Sequence, residues 1–353
     1  MRAARALGCA VMISANSFFR RDVDGEVIRV RRPGPDLRGM DAALDSSGYV
    51  AMRRYGGYGW TVEAYVHRVV SAYPWSWYSA PDYSCEPAIA GASADVRLRQ
   101  AATVAMYHAC RRVAADAGLP PPVPVLQGWR PDDYHRCSDM LPLHGNVALV
   151  GIGSVCSRAV HGPHGLMRVL ERVDRVLPRG VQLHLYGVKS SALDVLLSEA
   201  CLDGRVRSVD SMAWDVEARA RFRTGRTTQR RAAVMREWYG SQTTRAVRAA
   251  AAAQCSLPRH LFPAPPPPEP GDDPLLEEFA DLVAAGEMDF HSAAIHYVRE
   301  AGARTPPPGT RVAATRTASP THRAGGPPAS QPRHNAVDQP PLPFAGSPLP
   351  CAA

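Results

Sequence analysis

The sequence VALVGIGS at residues 147–154 and its counterpart VQLHLYGV at residues 181–188 decide the fold. Both are short β-branched runs without polar alternation, as expected of strands buried on both faces. Between them Gly165–Leu177 carries apolar residues at helical spacing, so the unit reads as strand, helix, parallel strand. The pattern continues outward in both directions. CAVMIS at 9–14, AALDSSG at 42–48 and VPVLQG at 123–128 are strands upstream, and RVRSVDS at 205–211 is one downstream. Asp95–Gly118 and Ser190–Leu202 supply further helices, the second opened by a serine cap. This order over roughly 250 residues predicts the α/β class, as a (β/α)8 TIM barrel rather than an open doubly wound sheet.

The barrel domain is expected over residues 1–258. FPAPPPPEP around 263–270 reads as a stiff extended spacer. Asp273-Pro274 then opens LLEEFADLVAAG, and Asp289 caps FHSAAIHYVREAG, so residues 259–304 form a proline-rich spacer and a short C-terminal helical hairpin. Residues 305–353 hold twelve of the 33 prolines and few large apolar side chains, which predicts a disordered tail.

Composition narrows the function classes. No apolar run approaches the roughly 20 residues of a membrane helix, and MRAARALGCAVMISANSF lacks the small-residue pattern of a cleaved leader. Eight cysteines are scattered without CxxC spacing, which fits free thiols in a reducing, cytoplasmic setting. Neither GxGxxG nor GxxxxGK[ST] occurs, which weakens nucleotide-cofactor readings. The formal net charge is +8, and Lys189 is the sole lysine. Between Arg205 and Arg259 twelve arginines face four acids, a local +8, whereas His260–Arg304 carries −7. Such segregation points to a basic face for an anionic polymer, with Arg219, Arg223, Arg226, Arg230 and Arg231 as candidate phosphate contacts. A solvated arginine-rich helix is the plain alternative.

Each apolar run ends in a polar or glycine signature: Asp45-Ser46-Ser47-Gly48-Tyr49, Gln127-Gly128-Trp129, Gly151-Ile152-Gly153-Ser154, Tyr186-Gly187 and Ser208-Val209-Asp210-Ser211. In a barrel these ends share one mouth. Taken singly, each has an ordinary reading. The glycines serve tight turns, Asp210 a helix cap before AWDVEARARF, Asp82 a turn after Pro81, and Tyr49 and Gln127 core or turn positions.

Taken in order, the segments resemble a known family. DSSGYVAM at 45–52 resembles the DSGG[FY]Q segment of the queuine and preQ1 tRNA-guanine transglycosylases, and APDYSCEP at 80–87 is similar to their aspartate-bearing segment. VLQGW at 125–129 resembles their VQG strand, GIGSV at 151–155 their glycine-rich recognition loop, LHLYGVKSSALD at 183–194 their LMGVG segment, and SVDSMAW at 208–214 the segment of the nucleophilic aspartate. The variant forms are most similar to the phage and bacterial branch that inserts 7-deazaguanines into DNA.

The resemblance implies an exchange of guanine for a 7-deazaguanine base through a covalent glycosyl-enzyme, without a cofactor. Two carboxylates around an anomeric carbon can divide nucleophilic and acid/base roles, and two inversions retain configuration. By motif position Asp210 is the nucleophile and Asp45 the general acid/base or base-orienting carboxylate. Tyr49 is then the platform under the purine, Asp82 the acceptor for its N1 and 2-amino donors, and Gln127 and Gly128 line the base edge. Gly153 and Ser154 let the backbone approach. The implied partners are nucleic acid, DNA in preference to tRNA, and the incoming base, with a homodimer or accessory modification proteins also compatible. Two features depart from the family. DSSG replaces DSGG, adding a side chain near the base, and the zinc-binding CxCxxC cluster is missing. Cys255 and a helix histidine, His291, cannot close a four-ligand site, so no metal is expected. A tRNA-modifying enzyme, a non-catalytic nucleic-acid-binding barrel and a free-nucleoside glycosidase are the competing expectations.

Overall fold

A computed structural model describes residues 1–22, 27–143, 147–156, 158–198, 205–254, 274–304 and 350–352. After a short helix α1 (Arg2–Ala6), strand β1 (Val11–Ser14) starts the main array, and a hairpin of β2 (Phe19–Arg21) and β3 (Val27–Val30) follows it. Strand β4 (Ala42–Asp45) leads into α2 (Gly48–Tyr55) and α3 (Val62–Tyr65), which continues into a π turn, and then β5 (Trp77–Tyr78) and α4 (Ser93–Asp116). The alternation proceeds through β6 (Val125–Leu126), α5 (Pro131–Asp139), β7 (Leu149–Ile152), α6 (Leu166–Val176), β8 (Gln182–Leu185), α7 (Leu193–Ser198), β9 (Val206–Val209) and α8 (Ala213–Arg221). A long helix α9 (Thr228–Gln254) and the hairpin α10 (Pro274–Ala285) and α11 (Phe290–Arg304) complete the helices.

Parallel pairing joins β1 to β4, β4 to β5, and β6 through β7 and β8 to β9. A parallel bridge from Ser79 to Val123 links the two groups. The strands therefore lie side by side in chain order, each crossover carrying helical segments, which is how a (β/α) barrel winds. The row is strongly curved. The rings of Trp77 on β5 and His184 on β8 are 4.8 Å apart, whereas a flat row would hold these strands roughly 14 Å apart. Met12 of β1 also shares a cluster with Ala43, Trp77, Tyr186 and Met212, so residues from both ends of the row meet inside it. Among the described residues no ladder joins β9 to β1, and the free edge of β1 pairs antiparallel with β10 (Pro350–Ala352). The α/β class and parallel array are thus as expected, and the closed eight-stranded barrel is not seen.

Strand periodicity divides the side chains. Val11, Ile13, Ala42, Leu44, Val150, Ile152, Leu183 and Leu185 point to the helix-covered core, and the alternate positions point inward. Helix α6 answers with Leu166, Val169, Leu170 and Val173, one buried stripe at helical spacing. The C-terminal hairpin packs on α4: Leu275, Leu276, Phe279, Val283 and Phe290 bury against Leu98, Ala101 and Ala102. Each such large side chain contributes about 1.5–3 kcal/mol of burial. Asp289 caps α11 as read from sequence, its Oδ1 accepting the His291 and Ser292 N–H groups at 3.0 Å. The proline spacer and most of the expected tail, residues 305–349, lie outside the described residues.

Candidate active site

The C-terminal ends of the parallel strands bring Asp45, Asp82, Gln127, Gly153, Ser154 and Asp210 to one place. Asp210 follows β9 directly, and its main chain extends the ladder, donating to Leu185 O at 3.4 Å. It does not cap α8, whose N-cap position is Met212. Its carboxylate instead accepts the Gly187 N–H on Oδ1 at 2.8 Å. Buried His184 holds Ser208 Oγ through Nδ1 at 2.8 Å and faces the same Oδ1 with Nε2 at 3.4 Å. Both contacts fall on Oδ1, the Gly187 N–H as a hydrogen bond and the imidazole as a near neighbour.

Across the mouth, half-buried Asp45 ends β4. Burial first, and then the charges of Asp82 and Asp210, raise its carboxyl to about 8 against the lowering effect of hydrogen bonds from Ser47 and Ser14. Asp45 therefore retains a proton at neutral pH. Ser47, the residue that makes DSSG, is left-handed at φ 73°. Its hydroxyl turns toward the β1 side, 2.5 Å from Ser14 Oγ and 2.8 Å from the Asn16 main-chain nitrogen, which donates to it.

Asp82 is not a bare turn residue. Ser46 Oγ donates to its Oδ1 at 2.7 Å, Gln127 Nε2 donates to Oδ2, and Tyr58 holds its main chain through both N–H and C=O. Burial raises its carboxyl to about 6, the two side-chain donors pulling the other way. Gln127 Oε1 in turn accepts from Ser154 Oγ at 2.6 Å. Two glycines make this possible. A Cβ on Gly153 would sit 2.2 Å from Gln127 Nε2, and one on Gly48 would sit 2.5 Å from Asp82 O. Gly128 gives room to Asp133 of α5, where a Cβ would come within 2.7 Å.

Ser154, at φ 53°, is fully engaged through its side chain, which also meets the Cys85 N–H at 2.7 Å and Glu86 Oε2 at 3.0 Å. Buried Arg158 ties the loop after β7 down, donating to Ser154 O, His164 O, Gly128 O and Tyr134 Oη while stacking 4.1 Å over Trp129. Tyr49, 44 % exposed on the first turn of α2, lies close enough to Glu86 and Cys156 that their charges act with burial to raise its phenol. Sequence reasoning assigns no role to Ser46, Tyr58, Glu86, Arg158, His184 or Gly187. Ser46, Glu86, His184 and Gly187 lie inside the segments that carry the resemblance, whereas Tyr58 and Arg158 lie outside them.

The five candidate arginines separate into two groups. Arg219 and Arg231 both close on Asp215, at 2.6 and 2.7 Å, and Asp215 is 1 % exposed. Arg223, Arg226 and Arg230 are exposed, with Arg230 donating to Gly225 O at 2.9 Å. A cavity of about 470 Å³ lined by Ile13, Phe18, Leu37, Trp214, Arg231 and Met235 includes none of the clustered carboxylates.

No cluster of three candidate ligands exists among the described residues, His291 stands at the start of α11, and Cys255 lies outside the described residues. Among the described residues no helix is long and apolar enough to cross a membrane, and Cys9, Cys85, Cys110, Cys137 and Cys156 are free.

The arrangement provides one carboxylate anchored by a main-chain N–H, a second whose carboxyl is raised to about 8, and a third hydrogen-bonded to a buried amide. Residues 23–257 match the family model described as DpdA, DeoxyPurine in DNA protein A. No curated protein matches the chain.

Proposed function

Because the chain belongs to the DpdA family, the DNA branch of the tRNA-guanine transglycosylase superfamily, we propose that its carboxylates exchange guanine in DNA for a 7-deazaguanine through a covalent aspartyl-glycosyl intermediate. The observation that carries this is the pairing of an anchored Asp210 with a protonated Asp45. Asp210 Oδ2 attacks C1′ of the target nucleotide as the C1′–N9 bond breaks. Asp45 gives its proton to the departing guanine, which leaves neutral. The incoming base then gives up its own proton to Asp45 and displaces Asp210 from C1′, so configuration is retained and both carboxyls return to their starting states. Asp82 accepts from the N1 and 2-amino donors of each base, Gln127 lines the same edge, and Tyr49 covers the purine face.

The curved strand array fits a (β/α) barrel whose mouth is this site. Phosphate contact falls first to Arg223, Arg226 and Arg230, which have no buried carboxylate to serve.

The test is to incubate the protein with guanine-containing DNA and separate the products under denaturing conditions. A protein–DNA adduct that forms with wild type and not with Asp210→Asn, and that radiolabelled guanine resolves, is expected. An adduct with tRNA but not DNA, or none with either, overturns the reading.

A further inference from the structure

Glu86 takes no part in the reaction just described, yet it is 3 % exposed and ends the hydrogen-bonded chain that starts at Asp82. Three groups converge on Ser154 Oγ: the Cys85 N–H at 2.7 Å, Gln127 Oε1 at 2.6 Å and Glu86 Oε2 at 3.0 Å. A hydroxyl has one proton to give and two lone pairs with which to accept. The Cys85 N–H fills one lone pair. An ionised Glu86 and Gln127 Oε1 would then compete for a single proton. Two arrangements satisfy every partner. In the first, Glu86 is protonated and donates to Ser154, Ser154 donates to Gln127 Oε1, and Gln127 Nε2 donates to ionised Asp82. In the second, Glu86 is ionised and takes the Ser154 proton, the Gln127 amide is turned over, and Asp82 carries the proton that Glu86 lacks.

The surroundings favour the first. Asp82 receives two donors, Ser46 Oγ and Gln127 Nε2. Ionised Glu86 would have, besides the Ser154 hydroxyl and its own main chain, only the Cys156 thiol at 3.5 Å. The titratable groups that face Glu86 are Asp82, Tyr49, Tyr134, Cys85, Cys156 and Arg158. The Arg158 guanidinium pulls toward ionisation, but its hydrogen bonds are spent on carbonyls and Tyr134. Burial outweighs it and raises the Glu86 carboxyl.

We propose that Asp82 and Glu86 hold one proton between them, and that Glu86, as its holder, is a positioning residue that fixes the Gln127 amide and keeps Asp82 a pure acceptor. The proposal rests on the assignment of Asp82 and Gln127 to the base edge. It accounts for selection by proton count: a base offering N1–H and a 2-amino group meets an acceptor, whereas an adenine-type edge, with a bare N1, would require the proton to pass from Glu86 to Asp82.

Two measurements test it on the full chain. Infrared difference spectra, wild type minus Glu86→Gln, should show at neutral pH the carbonyl band of a protonated carboxyl, and Asp82→Asn should retain that band. In base exchange, Glu86→Gln still donates to Ser154 and cannot ionise. Its KM for guanine should stay within about twofold of wild type and hold to higher pH, whereas Glu86→Ala should raise KM about tenfold with a smaller change in kcat. No such band in the wild type minus Glu86→Gln difference, or equal KM values for the Gln and Ala variants, overturns the proposal. If no form of the protein exchanges guanine, the assigned reaction fails while the infrared spectra still decide where the proton resides.

Discussion

The main-chain N–H of Gly187 lies 2.8 Å from Oδ1 of Asp210, so a turn after β8 aims the carboxylate that ends β9. That turn depends on φ +66° at Gly187, and a Cβ there would also come within 2.7 Å of Cys156 Cβ. Gly187→Ala should therefore cost about 1–2 kcal/mol of stability and lower the single-turnover exchange rate, because the donor moves with the turn. Asp210→Asn, by contrast, should fold normally and lose exchange altogether, since an amide can neither attack C1′ nor stabilise the charge that develops there. Turnover by Asp210→Asn above a few per cent of wild type would identify a different nucleophile.

Asp45 links stability to pH. With its carboxyl raised from 3.8 to about 8, the folded chain holds a proton across that interval that the unfolded chain has released, so this group makes stability fall as pH rises. Asp45→Asn removes the dependence. Its melting temperature relative to wild type should increase steadily from about pH 4 to about pH 8. Parallel melting curves across this range would place the proton elsewhere.

The arginines predict two different phenotypes. Replacing Arg223, Arg226 and Arg230 with glutamine should weaken DNA binding with the fold intact. The slope of log K against log salt should flatten by about 0.9 for each duplex phosphate no longer neutralised. Arg231→Gln strips one partner from buried Asp215 and should lower stability by about 2 kcal/mol. An unchanged salt slope in the triple variant would remove these side chains from the DNA surface.

Phe279 lies 6 % exposed where α10 packs on α4. Phe279→Ala should destabilise this packing by about 3–5 kcal/mol, read as faster amide exchange along α10 and α11. Because the Phe290 ring lies 5.2 Å from Tyr83, next to Asp82, the same variant should also weaken binding of the base. Exchange rates matching wild type would show that other packing holds the helical hairpin.

Strand ends are the legible part of this sequence. A run such as VALVGIGS declares both its buried strand and its glycine exit, and Asp45, Gln127 and Asp210 stand out because each directly follows such a run. Strand β5 escapes because Trp77 and Tyr78 are its whole length and no β-branched run marks them. Glu86 and Arg158 escape for another reason. Their partners, Ser154, Tyr134 and the main chain of Gly128, are distant along the chain, and nothing local distinguishes a buried, hydrogen-bonded ionisable side chain from a solvated one. Arg219 and Arg231 read as part of the polymer surface because sequence shows their charge, but not that α8 and α9 deliver both to one carboxylate.

The hydrogen bonds that run from Ser46 through Asp82, Gln127 and Ser154 to Glu86 cross the loops after β4, β5, β6 and β7. In barrel enzymes such loops are usually separate modules, exchanged one at a time to change chemistry. Here they are wired together, so a loop grafted from a relative would arrive with hydrogen bonds addressed to neighbours it no longer has, three of them for the loop after β5. A change of base preference in this lineage would have to come as a concerted set of substitutions, and a library that randomises one loop alone should return mostly inactive protein.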